Sequence, residues 1–268
     1  MEKNRSKAEY RIYKGAWINK ENPMSEEKMD KNEGREFLQK GGLLVRNTYN
    51  WDKESPSQFW YVIKDEFGDI EELPSKARNQ VRKSLKTYEF KRVSYDEMLK
   101  VGYELFNKSR ERFGENAKIT REQWQCRLHR DKNSDFWIGY DIKTGKPASF
   151  ALNAIYDDYC DYSTMGISPE FPNNTYPMYG LIYEMNRYYL EEQRVRFVCD
   201  GARSITGHSN IQQVLEEKFK FRKAYCDLQL IYKPWLGVAV KMLFPFRKLI
   251  KNKSVSSLLR QEAWARGI

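Results

Sequence analysis

Histidine and cysteine, the residues that most often carry metal or nucleophilic chemistry, are scarce in this sequence. The 268 residues include two histidines and four cysteines, namely Cys126, Cys160, Cys199 and Cys226. Because the cysteines are widely spaced and form no Cys-x-x-Cys or Cys/His pair, we expect neither a zinc site nor a cysteine–histidine nucleophile. The same cysteine usage predicts a reduced, cytoplasmic protein.

Long apolar runs are absent as well. No segment approaches the roughly 20 apolar residues that span a bilayer, and the first residues do not have the charged-then-apolar pattern of a signal peptide. The sequence is nevertheless 40 % hydrophobic and 15 % aromatic, which is enough to form a core. We therefore expect a folded globular protein that is not integral to a membrane.

Negative charge is in deficit. The chain has 47 lysines and arginines against 37 aspartates and glutamates, which gives a formal net charge of +10. This excess favours acidic partners such as nucleotide phosphates, nucleic acid or anionic lipid. Ordinary solubility is the alternative explanation of the same charge.

The amino-terminal third predicts short strands and one basic helix. The segment "YRIYKGAWI" alternates as a strand does, and "NKENPMSEEKMDKNEG" is typical of a loop. Two further strands are expected in "GGLLVRNTYNW" and "QFWYVIKDE". A helix should open at Pro74 and Ser75, and the strand "YEFKRV" should follow it.

From Ser94 onward the pattern alternates between helices and strands. Ser94 and Glu97 form a Ser-x-x-Glu capping box in front of one helix, and Thr120 begins a second helix in a similar way. Three strands separated by turn signals follow in "FWIGYDIKTGKPASFALNAIYDDYCDYSTMGI" and predict an antiparallel meander. The last elements should be the helix "YPMYGLIYEMNRYYLEEQ", the buried strand "VRFVCDG", the helix "NIQQVLEEKF" and the strand "AYCDLQLIY".

This order of elements resembles the Gcn5-related N-acetyltransferase (GNAT) fold, in which a meander precedes a helix, a strand, a helix and a last strand. Locally, "LPSKARNQVRKSLKTYEF" is similar to a basic helix of the FemABX-like branch, and "VLEEKFKFRKAY" is similar to a turn near the end of GNAT domains. The resemblance implies an α+β fold with a mixed central sheet flanked by helices. It also implies an N-terminal strand extension (1–75), a GNAT-like acyltransferase domain (76–233) and a basic C-terminal helical tail (234–268).

In families of this fold the acyl donor lies where the third meander strand separates from the strand after the long helix. The resemblance therefore places the donor between "YCDYSTMGI" and "VRFVCDG", where backbone groups of Gly166 or Ile167 would polarise the donor's carbonyl. The turn at residues 169–180 would face donor phosphates at a helix start. Further donor contacts are expected from Asn174, Thr175, Tyr179, Gly180 and Asn210.

The expected phosphate turn lacks the spaced glycines that close around the pyrophosphate of acyl-CoA, since Gly180 is the only glycine in it. The FemABX-like branch shares this loss, and several of its members take the acyl group from aminoacyl-tRNA. Acyl-CoA and aminoacyl-tRNA therefore both stay open as co-substrates. We expect no permanently bound cofactor and no metal.

Three residues near the expected cleft are candidates for catalysis: His208, Asp200 and Tyr162. Histidine titrates near neutrality, which suits His208 as proton acceptor, while Asp200 ends a strand and suits positioning of the acceptor. Asp161 on the meander strand is a further possible base. The alternative is structural, with the polar loop residues capping the next helix and Asp200 fixing the loop.

The resemblance does not supply every role. The GNAT pattern would place a tyrosine, often the acid for the leaving group, where this chain has Glu216, and a glycine where it has Lys220. The acid role of that tyrosine therefore cannot be carried over to this chain.

Basic residues are candidates for holding an anionic substrate. Arg78 and Arg82 project from one helical face, and Arg203 and Lys218 border the expected cleft. A solvated basic surface is the alternative for all four. The tail from residue 235 to 253 combines apolar and basic residues, which predicts peripheral membrane contact, with packing on the domain as the alternative.

The resemblance implies transfer of an acyl or aminoacyl group to an amine or hydroxyl of a sugar-containing or cell-envelope acceptor. Direct transfer needs no metal and no covalent enzyme intermediate. The expected partners are the acyl donor, with tRNA as one carrier, and the acceptor. The expected location is cytoplasmic, with peripheral contact at the inner membrane surface as an option. A non-catalytic basic protein that binds RNA or an anionic surface is the alternative function.

Overall fold

The computed structural model describes residues 10–19, 24–112, 118–129, 133–205 and 210–268. Two compact units emerge, each built from segments that are distant in sequence. The first unit comprises the described residues of Met1–Val62, Ala202–Asn210 and Lys223–Ile268. The second comprises those of Ile63–Gly201 and Ile211–Arg222. The three-part division expected from the sequence stays a prediction.

The described residues form strands and helices that are interspersed along the chain. The strands are β1 (Tyr10–Tyr13), β2 (Ala16–Asn19), β3 (Leu44–Tyr49), β4 (Phe59–Lys64), β5 (Tyr88–Val93), β6 (Ser134–Asp141), β7 (Pro147–Ile155), β8 (Tyr159–Ile167), β9 (Phe197–Ala202) and β10 (Arg222–Tyr232). The helices are α1 (Lys31–Gln39), α2 (Ser75–Thr87), α3 (Tyr95–Glu97), α4 (Tyr103–Arg112), α5 (Arg121–Leu128), α6 (Pro177–Asn186), α7 (Ile211–Phe219), α8 (Pro234–Leu243) and α9 (Lys253–Ala265). Segments of π-helix join α3 to α4 and extend α6, at Met98–Gly102 and Arg187–Glu192.

The first unit contains the strand order β1-β2-β3-β10-β4. β2 and β3 run parallel, whereas β1 with β2 and β3 with β10 run antiparallel. Helix α1 packs on this sheet through Leu38, which forms a buried cluster with Met29 and Val45. Helices α8 and α9 pack on each other around Val240 and Leu259.

The second unit contains the strand order β9-β8-β7-β6-β5. β8 and β9 are parallel, and the other neighbours are antiparallel. Phe150 of β7 belongs to a buried cluster with Phe106 of α4 and Trp124 of α5, while Asn153 on the other face reaches Met185 of α6. Because alternate residues of a strand point to opposite faces, the meander is covered by helices on both sides.

Most elements lie where the sequence predicts them, including the meander and the helix–strand–helix–strand order that follows it. Ser94 caps α3 by accepting the N–H of Glu97, and Thr120 forms a complete capping box with Gln123 at α5. The α+β class with a mixed sheet flanked by helices is confirmed. Within the described ranges, no helix is long and apolar enough to cross a membrane.

Two local predictions are wrong. The segment expected as one strand is the hairpin of β1 and β2, because Lys14 and Gly15 adopt left-handed backbone conformations and turn the chain. The segment expected as a loop to Gly34 already contains the start of α1. The carboxylate of Asp30 caps this helix by accepting the N–H groups of Asn32 and Glu33. Its polar composition concealed the helix, since few apolar residues mark its buried face.

Lys220 occupies the position where the resemblance expects a glycine. Its φ of 61° lies in the left-handed region, which disfavours residues that carry a Cβ atom. The turn closes α7, and the N–H of Phe221 donates to the carbonyl oxygen of Leu215 across it. The backbone geometry of the turn is therefore the one that suits glycine, although the side chain is lysine.

We predict that Lys220→Gly stabilises the protein by about 0.5–1 kcal/mol, because glycine relieves the left-handed strain. Lys218→Gly is the matched control, since the same exchange inside α7 should destabilise by about 1 kcal/mol. Thermal or urea unfolding measures both effects. Equal destabilisation by the two substitutions would show that the turn at Lys220 is not strained.

Candidate active site

A β-bulge in β8 marks the start of the candidate site. Between the flanking residue pairs of the two strands, Asn153 of β7 stands opposite both Tyr162 and Ser163 of β8. A bulge bends the strand that carries the extra residue and increases its twist. The direction of β8 therefore changes at this point.

Strand β8 separates from β9 at the same place. The parallel ladder between them runs from Tyr159–Phe197 to Asp161–Cys199. The antiparallel ladder between β8 and β7 continues to Ile167. Beyond the bulge, β8 thus follows β7 and leaves β9. The expected separation of the third meander strand from the strand after the long helix is confirmed.

Two carboxyl groups lie where the strands separate. Asp161 is the last residue of β8 that pairs with β9, and Asp200 directly follows its partner Cys199. Burial is the largest cause that raises the pKa of Asp200, and the charge of Asp161 adds to it, so that this pKa reaches about 8. A hydrogen bond from Gln212 of α7 opposes the rise. Asp200 therefore keeps its proton at neutral pH.

Asp200 can exchange a proton near neutrality, and the charge of Asp161 favours its protonated form. A carboxyl that is partly shielded from water and acted on by a second negative charge loses its proton reluctantly, and its ionised form is then a stronger base than an ordinary carboxylate. Ser163 Oγ donates to Asp161 Oδ2 at 3.2 Å and helps to fix that side chain. The arrangement suits proton transfer to or from an amine or hydroxyl.

Tyr162 is packed against α6. Its hydroxyl donates to Asn186 Oδ1 at 2.9 Å, and both side chains are buried. Burial is the main cause that raises the pKa of Tyr162 well above its ordinary value, and Asp200 contributes by its charge. The structure thus brings Tyr162 within electrostatic range of Asp200, and a catalytic role for its hydroxyl stays a prediction.

Cys160 and Cys199 adjoin the carboxyl pair in sequence. Both are buried free thiols, and burial raises the pKa of each well above its ordinary value. A thiol that keeps its proton is a poor nucleophile and a poor metal ligand. Among the residues that the structure describes, no group of three or more His, Cys, Asp or Glu side chains could hold a metal ion.

Two N–H groups at the start of α6 donate to atoms within the protein. Tyr176 adopts a left-handed conformation, and Pro177, the first helical residue, has no N–H. The N–H of Tyr179 donates to Tyr176 O, and the N–H of Gly180 donates to Ser84 Oγ of α2 at 3.2 Å. A Cβ atom on Gly180 would lie 2.4 Å from Ser84 Oγ. Gly180 therefore serves the contact between α6 and α2.

The other residues expected to contact the donor differ in exposure and in their partners within the protein. Thr175 Oγ1 donates to Pro172 O and lies 2.6 Å from the Tyr88 hydroxyl, whereas Asn174 is exposed. Gly166 lies on β8 beyond the bulge, where a Cβ atom would meet Phe150 at 2.3 Å. The donor roles proposed from sequence for these residues and for Ile167 and Tyr179 stay predictions.

The loop between β9 and α7 is described only in part. His208, the proton acceptor expected from the sequence, lies outside the described residues. Asn210 is described, is exposed and directly precedes α7. Their roles stay predictions.

The basic candidates on the helices have acidic partners. Arg78 and Arg82 of α2 both form ion pairs with Glu71, the second at 2.9 Å. Lys218 of α7 lies 3.5 Å from Glu217. Since Glu71 neutralises part of the charge on α2, this face attracts anions less than the sequence suggests.

Arg203 lies in the first unit, between two indole rings. Its guanidinium carbon is 4.2 Å from the ring centre of Trp60 and 4.1 Å from that of Trp264. Its Nη1 also donates to the carbonyl oxygen of Gln58. Burial is the main cause that lowers the pKa of Arg203, and the charge of Arg260 adds to it. The side chain therefore has a packing role, and substrate binding by it stays a prediction.

A cavity of about 450 Å³ lies within the first unit. Lys53 Nζ and Asp227 Oδ1 form an ion pair of 2.5 Å in its wall. Its other lining residues are Tyr49, Pro56, Ser57, Gln58, Phe59, Cys226, Leu228, Trp264, Ala265, Arg266 and Gly267. Lys53 and Asp227 neutralise each other, and Arg266 is the other charged residue of the lining.

Sequence reasoning treated Asp161 only as a further possible base and missed Gln212 and Asn186. A signal existed for Asp161, because it lies on the strand expected beside the one that ends at Asp200. Gln212 and Asn186 lie on helices among many polar residues, so no sequence signal distinguishes them.

We predict that Asp200→Asn changes how stability depends on pH. Between pH 3.8 and about 8 the folded protein keeps a proton on Asp200 that the unfolded chain releases, so wild-type stability falls as pH rises through this range. Asparagine cannot ionise, and the variant should therefore gain stability relative to wild type as pH rises from 4 to 8. Thermal unfolding across this range is the measurement.

Asp161→Asn is the matched variant for this prediction. Because burial, the larger cause, remains, the pH dependence from Asp200 should weaken without disappearing. Parallel stability profiles of wild type and Asp200→Asn would contradict a raised pKa at this residue.

Solved structures share this fold at low sequence identity. FemX is 14 % identical with a TM-score of 0.53, over 74 % of this chain and 65 % of its own. The C-terminal domain of a putative lysylphosphatidylglycerol synthetase from Agrobacterium fabrum is 9 % identical with a TM-score of 0.50, over 87 % and 82 % of the two chains. L-PGS from Bacillus licheniformis is 13 % identical with a TM-score of 0.50, over 96 % and 85 %. This chain thus spans slightly less than two thirds of FemX.

No protein-family model matches the sequence, and no curated protein matches it either. The likeness to solved structures therefore concerns the fold. The chain has a GNAT-like fold of the FemABX-like kind, as its sequence of elements implied.

Proposed function

We propose that this protein is an acyltransferase that moves an acyl or aminoacyl group directly to an amine or hydroxyl of a cell-envelope acceptor. The observation that carries the proposal is the carboxyl pair of Asp161 and Asp200 where β8 and β9 separate. The fold shared with FemX and with a synthetase named for lysylphosphatidylglycerol supports this reaction class. A sugar-containing acceptor is compatible with the same chemistry.

Asp200 is the proposed proton acceptor. The nitrogen or oxygen of the acceptor attacks the carbonyl carbon of the donor, forming one bond, and the bond from that carbon to the leaving group breaks. The proton lost by the acceptor passes to the ionised carboxylate of Asp200, which gives it to the leaving group and is ionised again. Burial and Asp161 make this carboxylate basic enough for the task. This assigns to Asp200 the role that the sequence favoured for His208.

An aminoacyl ester of tRNA is the donor that the helix start supports better. A pyrophosphate would need N–H groups at the start of α6. Pro177 has none, and two of the other three N–H groups in the first turn, those of Tyr179 and Gly180, already donate to protein atoms. An ester donor makes no such demand near its reacting carbonyl. We therefore propose aminoacyl-tRNA before acyl-CoA.

The alternative function, a basic protein that only binds RNA or another anionic surface, has less support. Arg78 and Arg82 would be central to such a surface, yet both pair with Glu71. A binding protein also gains nothing from a buried carboxyl that resists ionisation, because burying such a group costs stability.

A transfer assay tests the proposal. The protein is mixed with tRNA charged with labelled amino acids and with a membrane extract as acceptor, and label transferred to the extract is measured from pH 6 to 9. The wild-type rate should rise with an apparent pKa near 8 as Asp200 ionises. Asp200→Asn should lower the rate by roughly 10²–10⁴-fold. Labelled acyl-CoAs should transfer more slowly.

Asp158→Asn is the control, because this carboxyl lies in the same region but its side chain is 47 % exposed. It should keep the wild-type rate. If Asp200→Asn keeps the full transfer rate and His208→Ala loses activity, then His208 and not Asp200 accepts the proton. RNA binding without transfer from either donor would favour the binding function instead.

A further inference from the structure

Helix α8 and the turn after it have two chemically different faces. On one face, Val240 and Phe244 form a buried cluster with Leu259 of α9. The other face carries large apolar side chains that are exposed. We call these six residues the apolar strip: Trp235, Val238, Met242, Leu243, Phe246 and Leu249.

The apolar strip is too concentrated to be ordinary surface. Trp235, Met242 and Leu249 are 60 %, 63 % and 77 % exposed, and all six residues lie within 235–249. Single exposed apolar residues are normal, whereas a contiguous group marks a surface that binds something. The cluster on the opposite face already packs α8, so the strip is not needed for that contact.

The segment that carries the apolar strip is also positively charged. Lys241, Lys248 and Lys251 are exposed along the same segment. The sequence has no aspartate or glutamate from Lys233 to Gln261. In a chain in which nearly a third of all residues are charged, this separation of cations from anions favours a partner that is both apolar and negative.

We propose that the apolar strip and its lysines dock on an anionic lipid bilayer, with α8 lying in the interface. The apolar side chains would enter the boundary between headgroups and acyl chains, and the lysines would bind headgroup phosphates. RNA would satisfy the lysines but leave the strip in water. A second copy of the chain would cover the strip but place its lysines against equal charges. A lipid surface satisfies both, and the proposal does not depend on the proposed transferase activity.

Co-sedimentation of the full chain with vesicles tests the proposal. The protein should bind phosphatidylcholine vesicles that contain phosphatidylglycerol, and bind pure phosphatidylcholine weakly. Replacing Lys241, Lys248 and Lys251 together by glutamine should weaken binding to the anionic vesicles by roughly 10²-fold. Replacing Trp235, Phe246 and Leu249 together by serine should weaken binding by roughly tenfold or more.

Matched variants test whether vesicle binding depends on the apolar strip and its lysines or only on the overall charge and hydrophobicity of the protein. Glutamine at Lys76, Lys86 and Lys143 removes the same net charge elsewhere, and Ile142→Ser removes an apolar residue that is 57 % exposed. Both should bind as wild type does. Unchanged melting temperatures would show that the variants of α8 are folded, as exposure of the replaced side chains leads us to expect.

Three results would overturn the proposal. The first is equal loss of vesicle binding in the two lysine variants. This result would show that binding depends on the net charge of the protein and not on the position of the lysines. The second is absence of binding to anionic vesicles. If the wild-type protein is then a dimer that the serine variant converts to monomers, the apolar strip forms an interface between two copies of the chain. The third is undiminished vesicle binding by the serine variant.

Discussion

The bulge in β8 is the constraint on which the candidate site depends. Because Tyr162 and Ser163 face one residue of β7, β8 turns away from β9 directly after Asp161. A regular strand would continue its ladder with β9, and the N–H and C=O groups of the two strands beyond this point would form hydrogen bonds with each other. The pairing of β8 with β9 stops instead at Asp161 and Cys199, and the gap between the strands is where we propose that the substrates bind. One extra residue in one strand thus opens the sheet at the position where the carboxyl groups lie.

The electrostatics of the site follow from that opening. Asp161 and Asp200 belong to neighbouring parallel strands at the end of their ladder, and Asp161 is close enough for its charge to act on Asp200. Burial and this proximity hold the proton on Asp200 up to about pH 8. The arrangement destabilises the folded state at neutral and higher pH, which is typical of groups kept for chemistry. A carboxyl needed only to fix a loop would be more stable if it were ionised and paired.

Two positions show that a residue type does not by itself reveal what its position does in the fold. Lys220 stands where the resemblance expects a glycine, and its backbone has the left-handed conformation that suits glycine. Gly180 is a glycine within the expected phosphate turn, yet it allows α6 to approach Ser84 of α2. The fold alone therefore does not identify the acyl donor.

The sequence by itself determined the order and boundaries of most elements, because hydrophobic period, turn residues and helix caps act over a few neighbouring residues. It also placed Asp200 on a strand, although β9 continues to Ala202, and the resemblance placed this strand beside the third meander strand. Only the tertiary structure decided the bulge, the raised pKa of Asp200 and the pairing of Arg78 and Arg82 with Glu71. Pattern also failed at α1, whose buried face is small. Register, burial and charge proximity depend on residues far apart in the chain, and no local pattern records those distances.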